Sequence, residues 1–220
     1  MEQIINNRWP LLFCEVESLK VKNPDGSPFC WSVNAAVLDN GRVLSVGHLL
    51  DPDMPKDQLF RVFDPSQGPS KAVMTKYAET DPRLDLGYID MKATGRSYKP
   101  GSASTGEHCH VTWCRTDKGQ IALGYSVARI EGPCSMYTVI DAEGNLQPKM
   151  RVTSQPEPTD SPRVMLSLPK PVYSLCGAVV TDLFGGLIGL VNFSLPPRES
   201  TQTLMMTSVV EILKRPGAIQ

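Results

Sequence analysis

Apolar residues along this chain come in short runs, and nineteen prolines and seventeen glycines are scattered between them. No helical periodicity of domain length appears in the first 195 residues. The runs instead read as strands, at Leu11 to Val21, Phe29 to Leu38, Arg42 to Val46, Leu59 to Phe63, Leu86 to Met91, His110 to Cys114, Gln120 to Ile130, Ser135 to Ile140, Arg163 to Leu166, Ala178 to Thr181 and Leu187 to Phe193. Turn chemistry separates them at Asn23 to Gly26, Asp39 to Gly41, Asp117 to Gly119 and Asp141 to Asn145. Many short strands with hairpin turns predict an all-β sandwich or a pair of barrels.

One helix is predicted at the end of the chain. Ser200 or Thr201 caps it, Leu204, Met205, Val209, Ile212 and Leu213 recur at helical spacing, Lys214 and Arg215 favour its C-terminus, and Pro216-Gly217 stops it. The Ser-, Gly- and Lys-Pro-rich stretch from Tyr98 to Glu107 reads as an inter-lobe linker, dividing the chain into an N-terminal barrel over 1–98 and a C-terminal barrel with the helix over 99–220. Thr153 to Pro162 reads as an exposed loop.

Composition narrows the class. The 220 residues suit one domain or two small lobes, and 41% hydrophobic with 20% charged residues is ordinary for a globular protein. A net charge of -1 gives no basic excess for nucleic acid to read, and no apolar run approaches the ~20 residues that cross a bilayer. Six cysteines (Cys14, Cys30, Cys109, Cys114, Cys134, Cys176) are too sparse for a disulfide scaffold, and no signal segment is evident. The expectation is a reduced, cytoplasmic protein or a segment of a larger one, without cofactor.

The chemistry gathers around Cys176. It is followed by the small residues Gly177 and Ala178, then by two β-runs joined by a turn over Asp182 to Gly186. This places a thiol on a tight bend where a substrate carbonyl can approach the backbone amides. The same pattern also suits an ordinary hairpin with a buried Cys. A thiol nucleophile needs a base, and the base an orienter. Of the three histidines, His48 follows a predicted hairpin through Ser45-Val-Gly47, and Asp85 opens the apolar strand Leu86-Gly-Tyr-Ile89. Asp90 is the other candidate acid; five residues from Asp85, it faces the opposite side of a strand.

The strand-turn-strand leading into Ser-Val-Gly-His48 resembles the histidine region of chymotrypsin-fold proteases. Asp85-Leu-Gly-Tyr-Ile resembles their Asp segment, and Ser174-Leu-Cys176-Gly177-Ala178 their nucleophile block, in the same chain order. With Cys as nucleophile, the chain is most similar to the chymotrypsin-like cysteine proteases of positive-strand RNA viruses, of the picornavirus main-protease type. The resemblance implies two antiparallel β-barrels and a thiol endopeptidase processing a polyprotein in the host cytoplasm. It also implies Cys176 as nucleophile, His48 as base, Asp85 as orienter, an oxyanion hole from the amides of Ser174 and Cys176, and a substrate-pairing strand through Leu190, Val191 and Asn192. Ser174 stands where that pattern has Gly. This supports the alternative of a catalytically impaired, protease-fold binding or scaffolding module. No His follows the Cys at the position where such enzymes read glutamine, so that specificity is not implied. His108-Cys109-His110 with Cys114 invites a zinc site but lacks a second ligand pair, so no metal is expected. The five other cysteines read as structural thiols, and Trp9, Trp31 and Trp113 as core or lobe-boundary aromatics.

Overall fold

A computed structural model of the chain describes residues 3–49, 55, 57–117, 120–140, 146–152, 161–172, 175–195 and 201–208. The first sheet contains β1 (Ile4–Ile5), β2 (Leu11–Lys22), β3 (Pro28–Val37), β4 (Arg42–Val46), β5 (Phe60–Phe63), β6 (Val73–Thr75), β7 (Tyr77–Asp81) and β8 (Leu86–Ala93). The second contains β9 (His108–Asp117), β10 (Gln120–Ile140), β11 (Leu146–Val152), β12 (Ser161–Leu168), β13 (Val179–Thr181), β14 (Leu187–Ser194) and β15 (Gln202–Ser208). Among the described residues there is no helix beyond single 3-10 turns, and none is long and apolar enough to cross a membrane.

Both sheets curl into barrels. In the first, the order β8-β4-β3-β2-β5-β6 is closed because β7, separated from β6 only by Lys76, pairs back onto β8. In the second, β10-β12-β15-β14-β13-β9 closes through β9 on β10, with β11 extending β10 outward. Closure leaves few raw edges and puts alternate side chains inside. The segment between β8 and β9 straps the barrels together. Tyr98 N–H donates to Val37 O at 2.8 Å, and Leu187 N–H to Lys99 O at 2.7 Å.

The barrels also share apolar packing. Cys114, Val179, Leu187 and Leu190 of the second sheet join the first barrel's core, while Val180, Ile188 and Val191 fill the second. Successive residues of β13 and β14 thus face two different cores. That explains why these strands read as continuous apolar runs rather than alternations.

The expected C-terminal helix is not what forms. Residues 202–208 are strand β15, paired with β12 on one side and β14 on the other. Leu204, Met205, Met206 and Thr207 are all buried, so an apolar run buried on both faces imitated a helical stripe. Val209, Ile212, Leu213, Lys214 and Arg215 lie outside the described residues. Gln120 to Ile130 and Ser135 to Ile140, expected as two strands, are the one long β10. Gly132, at φ +129°, and Pro133 sit at a bulge where the strand exchanges β9 for β12 as its partner. Trp31 is exposed on β3 with its ring against Phe29 at 5.0 Å, and does not join either core. Cys30 is exposed as well, whereas Cys14, Cys109, Cys114 and Cys134 are buried. The expected loop Thr153 to Pro162 lies outside the described residues except for its last two, which open β12.

One buried polar side chain ties the barrels together. Asn34, on β3, is 1% exposed. Its backbone N–H and its side-chain amide both donate to Cys176 O, at 3.0 and 3.2 Å, and its Oδ1 accepts from Cys114 N at 2.6 Å. Its own carbonyl accepts the Ser45 hydroxyl at 2.8 Å. Asn34→Ala strands the Cys114 amide, which is expected to cost about 1–3 kcal/mol. Urea unfolding would check this, with a lowered midpoint expected at unchanged slope.

Candidate active site

His48 lies on the 3-10 turn Gly47–Leu49 that ends β4, and Asp85 immediately precedes β8, its antiparallel neighbour. Pairing these strands brings the two residues together. Gly47 N–H donates to Asp85 O at 3.1 Å and His48 N–H to Asp85 Oδ1 at 3.0 Å. The second carboxylate oxygen meets His48 Nδ1 at 2.7 Å. Asp85 sits at φ +51°, a left-handed conformation that Asp tolerates better than most residues, and this turns the carboxylate back over the histidine. Asp90 is exposed and belongs to the sheet, with its backbone bonded to Lys76 and Thr75, so it is not part of this pair.

The strand ends are braced from behind by Tyr77, which no sequence motif marks. Its buried hydroxyl donates to Val46 O. Its ring lies so close to Gly87 that a Cβ there would fall 2.4 Å from it. The Gly in Asp85-Leu-Gly87 is therefore a packing requirement of β8.

Cys176 comes from the other barrel. Leu175 to Ala178 form a turn closed by Ala178 N–H donating to Leu175 O at 2.8 Å, with Gly177 at φ +73°, as a type II turn needs at its third position. A Cβ on Gly177 would lie 2.1 Å from Asn34 O. Gly177 N–H donates to Val191 O at 2.8 Å, which seats the turn on β14. The Cys176 thiol is half-buried and lines the same cleft as His48, whose Nδ1 is already taken by Asp85. Burial alone would lower the His48 pKa. The hydrogen bonds and charges of Asp85 and Cys176 outweigh it and raise the value from 6.5 to about 10.

His48, Asp85 and Cys176 line one open cleft of about 370 Å³, together with Met136, Arg163, Asn192, Phe193 and Ser194. Leu190 and Val191 are fully buried, and Val191's backbone amide and carbonyl are bonded to Ala178 and Gly177. The cleft-lining part of β14 is Asn192, Phe193 and Ser194. Ser174 lies outside the described residues. The His108 and His110 group stands apart on β9, with the His110 ring 5.2 Å from Tyr125 and Cys109 and Cys114 buried.

The second barrel grips the turn that carries Asp85. Asn192 Nδ2 donates to Asp85 O at 3.0 Å and lies 3.4 Å from Leu84 O. The Thr207 hydroxyl lies 2.7 Å from Leu84 O and 2.8 Å from Asn192 Oδ1, and its single proton serves one of them at a time. Arg163 Nη1 donates to Arg83 O at 3.3 Å. Neither Thr207 nor Arg163 carried a motif, and only their place beside the acid turn singles them out.

Solved structures of proteases share this arrangement of strands. The active form of the Rv3671c protease from M. tuberculosis matches with a TM-score of 0.62 at 15% identity, over 96% of this chain and 82% of that one. Its inactive form gives 0.54 at 16%, over 93% and 85%. The apo MamO protease domain from Magnetospirillum magneticum gives 0.56 at 13%, over 93% and 94%. No protein-family model and no curated protein matches the chain. The chain has a chymotrypsin-like protease fold.

Thr207→Val is expected to loosen the acid turn, with a stability loss of about 0.5–1.5 kcal/mol from the lost hydroxyl hydrogen bond, Leu84 O keeping only its longer contact with Asn192. Urea unfolding would measure the loss, and iodoacetamide labelling of Cys176 at neutral pH would report the loosening as a slower rate.

Proposed function

We propose that this protein is a chymotrypsin-fold cysteine endopeptidase, with Cys176 as nucleophile, His48 as base and acid, and Asp85 as the group that orients the imidazole. The observation that carries this reading is the single cleft in which His48 stands between a carboxylate and a thiol contributed by opposite barrels. The resemblance to viral main proteases supports a peptide or polyprotein substrate and a host-cytoplasmic setting.

In this reading a peptide lies extended along the cleft, adding a strand to the end of β14 that follows Leu190, Val191 and Asn192. With its proton already passed to His48, so that sulfur and imidazolium form an ion pair, Cys176 Sγ attacks the scissile carbonyl. The oxyanion is met by the amides of Cys176 and Ser174, with donors at about 2.7–3.1 Å from the developing charge. Collapse of the tetrahedral adduct breaks the C–N bond, His48 gives its proton to the departing amine, and a thioester remains. Water, deprotonated by His48, then releases the acid and restores the thiol. Asp85 keeps Nδ1 protonated and stabilises the imidazolium, a role that its 2.7 Å contact with His48 suits.

The Ser174 substitution favours the alternative, a protease-fold binding module with impaired catalysis. Chemistry at Cys176 separates the two. Cys176→Ala is expected to abolish cleavage of peptide substrates with the thermal unfolding midpoint nearly unchanged. His48→Ala is expected to slow iodoacetamide labelling of Cys176 by about tenfold or more, because the sulfur loses the base beside it. Cleavage surviving in Cys176→Ala, or labelling indifferent to His48, would favour the module.

The raised His48 pKa sets a direction in pH. The imidazolium is favoured up to about pH 10, so cleavage is expected to hold through mildly alkaline pH and to fall as pH passes about 10, where the leaving amine loses its proton donor. The stability from pairing His48 is fully present below about pH 6.5 and is lost as pH rises through about 10. A pH series of cleavage rates and of unfolding midpoints would show both.

A further inference from the structure

We propose that Arg163 forms a subsite in this cleft that takes an acidic side chain, aspartate or glutamate, from the bound peptide. The inference rests on the reading of the cleft as a peptide site and adds the substrate class.

Arg163 projects from β12 and is only 7% exposed, yet it lines the cleft beside Asp85, Met136 and Phe193. Among the described residues, only one of its nitrogens is hydrogen-bonded. Nη1 donates to Pro162 O at 2.9 Å and to Arg83 O at 3.3 Å, both uncharged carbonyls. Among the described residues no carboxylate forms an ion pair with it. Nε and Nη2 have no hydrogen-bond partner among the described residues, and the residue lines the cleft.

The nearby acids do not fill that role. Asp85 and Asp81 favour the Arg163 charge electrostatically. Both Asp85 oxygens are committed to His48, however, one to its backbone and one to its ring, and Asp81 Oδ1 accepts from Leu84 N. Burial works against the charge of Arg163, but a guanidinium does not deprotonate in proteins. A fork of donors left open in a partly apolar cleft matches a planar carboxylate, which accepts from two N–H groups at once and neutralises the charge. A carboxamide meets the donors but leaves the charge uncompensated. A lysine is repelled by Arg163 and by protonated His48 alike.

The test uses the Cys176→Ala chain, so that binding is read without turnover. Otherwise identical fluorescent peptides carry Glu, Gln or Lys at one position at a time. At one position near the scissile bond, Glu is expected to bind about tenfold or more tighter than Gln, with Lys weakest. Arg163→Met should erase the Glu preference, leaving the Glu and Gln peptides bound with similar affinity. Arg163→Lys, which keeps the charge but loses the fork, should retain part of it. Circular dichroism and unfolding midpoints check that each variant folds. Should Arg163→Met fail to fold, the Glu-to-Gln ratio of the Arg163 chain and of Arg163→Lys still decides. No Glu preference at any position, or one that persists in Arg163→Met, overturns the subsite. That failure is distinct from failure of the peptidase reading, which Cys176 labelling tests by itself.

Discussion

The site exists because two barrels are held at one separation, and the contact that sets it is the approach of Gly177 to Asn34. Asn34 uses its backbone N–H, its side-chain amide and its Oδ1 to bind two segments of the second barrel, the Cys176 turn and β9. Buried amide groups are costly when unpaired, so this geometry resists sliding in either direction. The approach is so close that only a residue without Cβ fits at 177. The glycine after the thiol therefore serves the seam between barrels as well as the turn.

A second grip runs the opposite way. Where Asn34 of the first barrel holds the thiol turn of the second, Arg163, Asn192 and Thr207 of the second barrel hold consecutive carbonyls of Arg83, Leu84 and Asp85 in the first. The acid turn needs such support, because Asp85 is in a left-handed conformation that costs backbone energy. Together the grips flank the cleft and hold thiol, imidazole and carboxylate in place. Such preorganisation lets a site act electrostatically without reorganising during the reaction.

The electrostatics follow from that placement. His48 is partly withdrawn from water, which by itself disfavours its charge, yet a carboxylate on one nitrogen and a thiol in the same cleft more than reverse the effect. The imidazole is thus a strong proton holder inside a cleft that also contains an open guanidinium. Cationic groups gathered around one carboxylate give the cleft a chemical character that the chain's near-neutral net charge conceals.

Much of this was legible in the residues because local rules decided it. Hairpin chemistry such as Asp39-Asn-Gly41 specifies its own turn, and β4 occupies the span the apolar pattern predicts, Arg42–Val46. The order and flanking residues of His48, Asp85 and Cys176 picked out three side chains that do line one cleft. Other features depend on what lies across the sheet. The run containing Leu204 and Met205 is a strand because β12 and β14 leave a gap that only a strand can fill by hydrogen bonding, and burial on both faces hides its period. Gly132-Pro133 reads as a break, but an exchange of partners carries β10 through it as a bulge. Sequence by itself determined an all-β chain with a thiol, an imidazole and a carboxylate in a telling order, since turns, strand pattern and side-chain chemistry are local. Tertiary structure alone decided which carbonyls Asn34, Asn192, Thr207 and Arg163 would meet, because those contacts join residues some 80 to 142 positions apart and exist only once the barrels close and dock.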